Sequence, residues 1–280
     1  MTRHSALLVL LSALLHAVWN ALIKHEKDAR SAGLAVLAVA TVTAAALVPF
    51  ARQTAFPSAT GLLWTLGAGL FEGVYFAALG RALARGPLGP VYTVSRGGAM
   101  LVTWPLSFFL LGEPLTWPAA VGVLLIGCGL ACTALRPREH ATPAGLGWAA
   151  ACAACIAGYH LCYKVALSAH AEPHAVFAVA LACALPINVA SLGPTAWHEG
   201  WLALRRSPLR VGIGGVTCTA SFVIFLQALA VAGAGAVLTL RNTSVLFAQL
   251  LALWGGERPH RRAIAGAALV FGGALLLARS

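Results

Sequence analysis

Charge is what this chain has least of. Of its 280 residues only 10% are charged, 19 Lys and Arg against 8 Asp and Glu, where a soluble domain carries about 25%. A water-exposed surface over this length needs more, so a soluble globular domain is excluded. A long basic stripe is also lacking. The formal charge of +11 is scattered as single residues and pairs between apolar runs, which fits lipid headgroups and gives no reason to expect nucleic acid. A disulfide framework is not expected, because all 7 cysteines lie inside apolar stretches and suit packing as small hydrophobic groups. No small-residue cleavage site interrupts the first apolar run, which continues through His16, Trp19 and Asn20 and reads as a membrane helix, not a signal peptide. Nucleophile-elbow, zinc-protease and phosphate-loop patterns are missing as well. An enzyme is therefore not expected, nor is a cofactor.

What is present is apolar sequence: 60% hydrophobic residues and a mean hydropathy of +0.84. Runs lie at about 5 to 23, 31 to 51, 60 to 80, 89 to 111 and 116 to 135. After the polar break Arg136-Pro137-Arg138-Glu139-His140, five more follow at about 143 to 164, 172 to 193, 209 to 230, 233 to 254 and 262 to 279. At about 20 residues per bilayer helix, ten helices fit the chain. The expected fold is an all-α polytopic membrane protein.

The two sets of five runs resemble each other. Ala17-Val-Trp19-Asn20-Ala-Leu-Ile-Lys24 lies over Ala157-Gly-Tyr159-His160-Leu-Cys-Tyr-Lys164. Phe76, Ala82-Leu83-Ala84, Gly89, Val91 and Thr93 lie over Phe222, Ala228-Leu229-Ala230, Gly235, Val237 and Thr239, and Gly112-Glu113 over Gly256-Glu257. Residues 1–136 and 137–280 are thus expected to be two five-helix repeats within one membrane domain. Because five is odd, the second repeat enters from the opposite side and the topology is inverted, a plan that puts a substrate site near the midplane between the halves.

These motifs resemble the drug/metabolite transporter superfamily, in particular the ten-helix EamA-type permeases. The resemblance rests on His16-Ala-Val-Trp-Asn-Ala-Leu-Ile-Lys24, on the small-residue third run leading into Arg81-Ala-Leu-Ala, on Leu111-Gly-Glu-Pro-Leu-Thr116, and on Thr239-Leu-Arg-Asn-Thr-Ser-Val-Leu-Phe247 followed by Gly256-Glu257-Arg258. It implies a facilitator or proton-coupled exporter of amino acids, nucleotide precursors, sugar phosphates or other small metabolites in the cell (inner) membrane. The expected partners are a small-molecule substrate and the bilayer, with homodimerisation left open.

Ionisable residues inside spans are costly in lipid, so each is a candidate for function. Arg96 and Arg241 fall at nearly equivalent places in the fourth and ninth runs, with Tyr92 one turn before the first and Asn242 beside the second. Two guanidinium forks across a pseudo-two-fold axis suit an anion; the alternative is that they snorkel to headgroups or bind helix carbonyls. His16, Asn20 and Lys24 share a helix face, repeated by His160 and Lys164, while Trp19 and Tyr159 are candidates for stacking. The competing reading makes the lysines helix ends at the interface and the rest helix-to-helix glue. Glu72 is the one carboxylate placed firmly inside a span, a counter-ion for an arginine or a proton carrier. Glu113 and Glu257 each follow glycine and read as helix-capping or dipole-compensating groups. Cys152, Cys155, Tyr159 and Cys162 share a face but read as small-residue packing, not a metal site.

The expected function is therefore secondary transport of a small anion or zwitterion, such as an amino acid, organic acid, phosphate or phosphonate, by alternating access. An exporter of cations, centred on Glu72, is the alternative within the class; an intramembrane enzyme on a lipid-linked substrate is the alternative outside it. With the arginines at 96 and 241 set aside, four basic residues lie on the side of the termini and thirteen on the other. The count puts the termini outside, whereas the resemblance suggests inside.

Overall fold

The computed structural model describes residues 1–24, 26, 28–51, 54–86, 91, 93–114, 116–134, 142–254 and 261–279. Its elements, in chain order, are α1 (Arg3–Lys24), α2 (Ala29–Leu47), α3 (Ala59–Leu83), α4 (Gly98–Leu111), α5 (Trp117–Ala134), α6 (Pro143–Ser168), α7 (Pro173–Leu192), α8 (Ala196–Arg206), α9 (Pro208–Val231), α10 (Ala234–Arg241), α11 (Ser244–Trp254) and α12 (Arg261–Arg279). A 3-10 turn, Val48–Phe50, extends α2, and a π-helical turn, Thr93–Gly97, leads into α4. Among the described residues there is no strand.

Local chemistry explains the boundaries. Asp28, Ser58, Thr142 and Glu172 each accept backbone N–H bonds in the first turn of α2, α3, α6 and α7, and proline opens α6, α7 and α9 where a missing N–H costs nothing. Gly112, at φ +65°, adopts the left-handed conformation that ends α4.

Among the described residues, seven helical segments are long and apolar enough to cross a bilayer: Arg3–Ile23, Ala29–Phe50, Ala59–Leu83, Thr93–Leu111, Pro143–Ser168, Pro173–Leu192 and Pro208–Val231. Trp117–Cys132 and Ile264–Leu277 are shorter apolar helices. The run at 233 to 254, expected as one helix, is broken. After Arg241 the ladder passes into i→i−3 bonds, Asn242 N–H to Thr239 and Thr243 N–H to Leu240, before α11 resumes. Helix α8 was not anticipated either, since its eleven residues were read as a connection.

The main packing partners of most helices lie in the other half of the sequence: α1 packs on α9, α3 on α6 and α7, α5 on α12. Small residues permit the close approaches. A Cβ on Gly69 would stand 2.6 Å from the Ala180 carbonyl, and one on Gly129 equally close to the Gly266 carbonyl. Reciprocal bonds weld α1 to α9, Ser12 Oγ donating to the Ser221 carbonyl at 2.8 Å and Ser221 Oγ to the Ser12 carbonyl at 2.9 Å. Large apolar side chains point outward, with Phe109, Trp117 and Trp254 at least three-quarters exposed. That is the surface of a protein whose solvent is lipid.

Candidate functional site

The helices enclose a cavity of roughly 470 Å³, open at one end. It lies within the range of small-molecule sites. His16, Trp19 and Asn20 from α1, Glu72 and Tyr75 from α3, Arg96 from the π-helical turn, Tyr159 from α6, Phe177 from α7, Cys218 and Phe222 from α9, and Arg241 at the end of α10 line it. Arg30, Arg81 and Arg85 stand among its lining residues at the helix ends that form the mouth. Both intramembrane arginines therefore reach the same cavity, and each comes from a stretch of irregular helix. Irregular backbone at membrane depth is tolerated where it is buried in protein or lines a cavity.

Arg241 is 4% exposed, and its guanidinium carbon sits 4.1 Å from the ring centroids of both Phe222 and Phe225. These contacts hold the cation through its faces. Its Nε and Nη2 have no hydrogen-bond partner among the described residues, and neither has Asn242 Nδ2 beside it. Two further donors converge on one imidazole: Trp19 Nε1 on His16 Nδ1 at 3.2 Å, and Arg96 Nη2 on His16 Nε2 at 3.4 Å. A neutral imidazole offers one acceptor nitrogen, so it cannot satisfy both. The buried side-chain N–H donors left without an acceptor among the described residues are thus those of Arg241 and Asn242.

The cavity's one buried carboxylate among the described residues is already engaged. Glu72, 2% exposed, accepts a 2.6 Å hydrogen bond from the hydroxyl of Tyr163. Sequence reasoning missed Tyr163, although its place four residues after Tyr159 on the same helix face was the available signal. Asn20 turns its amide back onto the His16 carbonyl at 2.7 Å.

The remaining expected site residues fall elsewhere. His160 is fully buried beside the lining, stacked on Tyr159; its Nδ1 donates to the Ile156 carbonyl at 2.7 Å, and its Nε2 has no partner among the described residues. Lys164 does not line the cavity. Its ammonium donates to the carbonyls of Leu229 and Ala232, both at 2.8 Å, at the end of α9. The lysine stem is long enough to bring its charge to those C-terminal carbonyls, where a cation is favoured. Glu113 caps a helix, though not the one that follows it: its carboxylate accepts from the N–H groups of Ala234 and Gly235 at 2.6 and 3.3 Å, at the start of α10. A Cβ on Gly233 would stand 2.8 Å from that carboxylate, so a side chain there would push the Glu113 carboxylate from its place. Tyr92 and Glu257 lie outside the described residues, as does the side chain of Lys24 at the end of α1. No cluster of three His, Cys, Asp or Glu able to hold a metal occurs among the described residues.

A helical membrane protein with paired halves and a central cavity, largely apolar but reached by several charged side chains, has the general character of a transporter. The model of the EamA-like transporter family matches residues 4–135 and again 143–279. The chain belongs to that family, within the drug/metabolite transporter superfamily, and is a multi-pass membrane protein. The fold is similar to that of a solved crystal structure with 20% sequence identity, at a TM-score of 0.74 over 98% of this chain and 97% of that one. No curated protein matches.

Proposed function

We propose that this chain is a secondary transporter of a small oxyanion or zwitterion, an organic acid, amino acid, phosphate or phosphonate, bound between Arg96 and Arg241. The observation that carries the reading is the buried guanidinium of Arg241, with Nε and Nη2 lacking an acceptor among the described residues beside a cavity it helps to line. Buried charged donors without partners are costly, and a ligand supplying oxygen atoms offsets that cost. Ten crossings in two inverted five-helix halves fit the sequence repeat, with α10 and α11 together making the ninth. Alternating access follows from such a plan. The setting is the cell membrane, and the basic loops around the mouth put that end in the cytoplasm by the positive-inside rule. A C-terminal tag cut by protease added outside intact cells supports this orientation; a protected tag reverses it.

The direct test is a thermal-shift screen of detergent-purified protein against organic anions, phosphonates, phosphate, amino acids and organic cations. A ligand that binds the folded state raises the melting temperature by mass action. Stabilisation by anions or amino acids, followed by liposome flux of the same compound, supports the proposal. Stabilisation by cations alone moves the site to Glu72 and overturns it.

A further inference from the structure

Helix α8 lies at the mouth end of the bundle, between α7 and α9, and is unlike its neighbours. Its inner side is small: Ala196 and Gly200 are buried, and a Cβ on Gly200 would meet Leu34 of α2 at 3.5 Å. Its outer side carries Trp197 and Trp201, four residues apart and 59% and 50% exposed, and on the next turn Arg205, whose guanidinium lies 5.0 Å over the Trp201 ring. The acidic groups of this region are already engaged. Glu199 accepts from Thr195 Oγ1 at 2.8 Å and Ser31 Oγ at 3.5 Å, while Glu26 accepts from Ser207 Oγ at 3.0 Å and is paired with Arg210 at 3.3 Å. A second arginine–tryptophan pair stands at the same end, Arg81 at 5.2 Å over Trp148 at the start of α6. Arg30, Arg85 and Arg206 are exposed around the same rim.

From this arrangement we infer that the mouth end of the protein is a docking surface for anionic phospholipid headgroups, with α8 lying in the headgroup layer. Tryptophan favours the boundary between hydrocarbon and water. An arginine stacked on an indole keeps its in-plane N–H groups for phosphate oxygens, and a short amphipathic helix of this kind binds a surface in proportion to apolar area and anionic charge. The partner is the lipid leaflet and not a soluble anion, because the two indoles supply an apolar contact that free phosphate cannot use. The inference is independent of the substrate assignment, since Arg205, Trp197 and Trp201 do not line the cavity.

The test uses the full chain in detergent micelles, titrated with phosphatidylglycerol or phosphatidylcholine, and the bound lipid is counted by native mass spectrometry. Phosphatidylglycerol is expected to be retained in preference, and the Arg205→Gln, Arg206→Gln double variant to lose on the order of fivefold of that preference per arginine removed. In vesicles containing brominated phospholipid, Trp197 and Trp201 are expected to be quenched, read as the difference from a Trp197→Phe, Trp201→Phe variant. Unchanged preference in the double variant overturns the inference, as does an absence of quenching assignable to these two indoles. Inorganic phosphate displacing phosphatidylglycerol would point to a soluble-anion site and overturn it equally. An Arg205→Lys variant that melts like the parent yet retains less lipid excludes simple misfolding.

Discussion

The two ends of this bundle use charge in opposite ways. At the closed end, Lys164 and Glu113 both turn inward onto the hairpin between α9 and α10, the cation on the last carbonyls of one helix and the anion on the first N–H groups of the next. At the open end, Arg30, Arg81 and Arg85 border the cavity and are exposed; Arg81 gives one N–H to the Ala77 carbonyl at 3.3 Å and Arg85 one to the Arg81 carbonyl at 3.1 Å, and the rest of each guanidinium stands at the mouth. The first arrangement fixes helix termini with matched charges. The second leaves cations available to whatever approaches. Ionisable groups in this protein thus do two different jobs, and what their polar atoms bond separates them: Lys164 and Glu113 are spent on helix ends, whereas the buried Arg241 keeps N–H groups without an acceptor among the described residues, the groups that our proposal gives to a ligand.

Four substitutions sharpen that contrast. The largest effect is expected from Arg241→Ala, which should lower affinity for a stabilising anion roughly 10- to 100-fold in the thermal-shift titration. The ligand-free protein should melt no lower than the parent, because unsatisfied buried donors have been removed. Retained anion binding would sink the clamp. Lys164→Met removes the cation from two carbonyls and should destabilise the fold by about 1–3 kcal/mol, measured by thermal melting, while the maleimide reactivity of an Ala232→Cys reporter increases. A parental melting curve would show that the closed end is held by other contacts. Glu113→Gln keeps the shape but not the charge, and a loss of about 0.5–1 kcal/mol is expected from the α10 terminus. The smallest change belongs to Asp28, at the start of α2. Hydrogen bonds from Ser31, with smaller help from Arg30, hold its carboxyl below the usual range despite slight burial. A lowered folded-state pKa means stabilisation present above the unfolded value and lost as pH falls through the folded one. Asn also caps well, so Asp28→Asn should cost at most about 0.5 kcal/mol at neutral pH after solvent screening. That gap should close below about pH 4; a gap constant with pH would assign it to something other than the carboxylate.

Much of this was legible in the sequence, and the rest was hidden for a physical reason. The apolar runs match the helices to within a few residues, and the arginines at 96 and 241 were singled out by their cost in lipid. Helix faces were harder to read. Where the outer solvent is lipid, a span is apolar all round, and periodicity no longer separates inside from outside. So Lys164, which shares a face with His160 by spacing alone, belongs to a helix end instead. Tyr163 is set apart from other aromatics only by Glu72, which stands opposite it in the fold and 91 residues away in the chain. Helix α8 escaped because its pattern is interfacial, two tryptophans and paired arginines on a short segment whose apolar content is too low to register as a span.

The interleaving of the two halves has a consequence for biosynthesis. When α1 and α3 leave the ribosome, the helices on which they pack, α9, α6 and α7, have not yet been made. Ser12 must wait some two hundred residues for Ser221, and Glu72 enters the bilayer about ninety residues ahead of the hydroxyl that will bind it. Insertion and assembly are therefore separate stages for this chain, and a nascent first half carries Glu72 without its partner hydroxyl, open to recognition by quality control until α6 has been made.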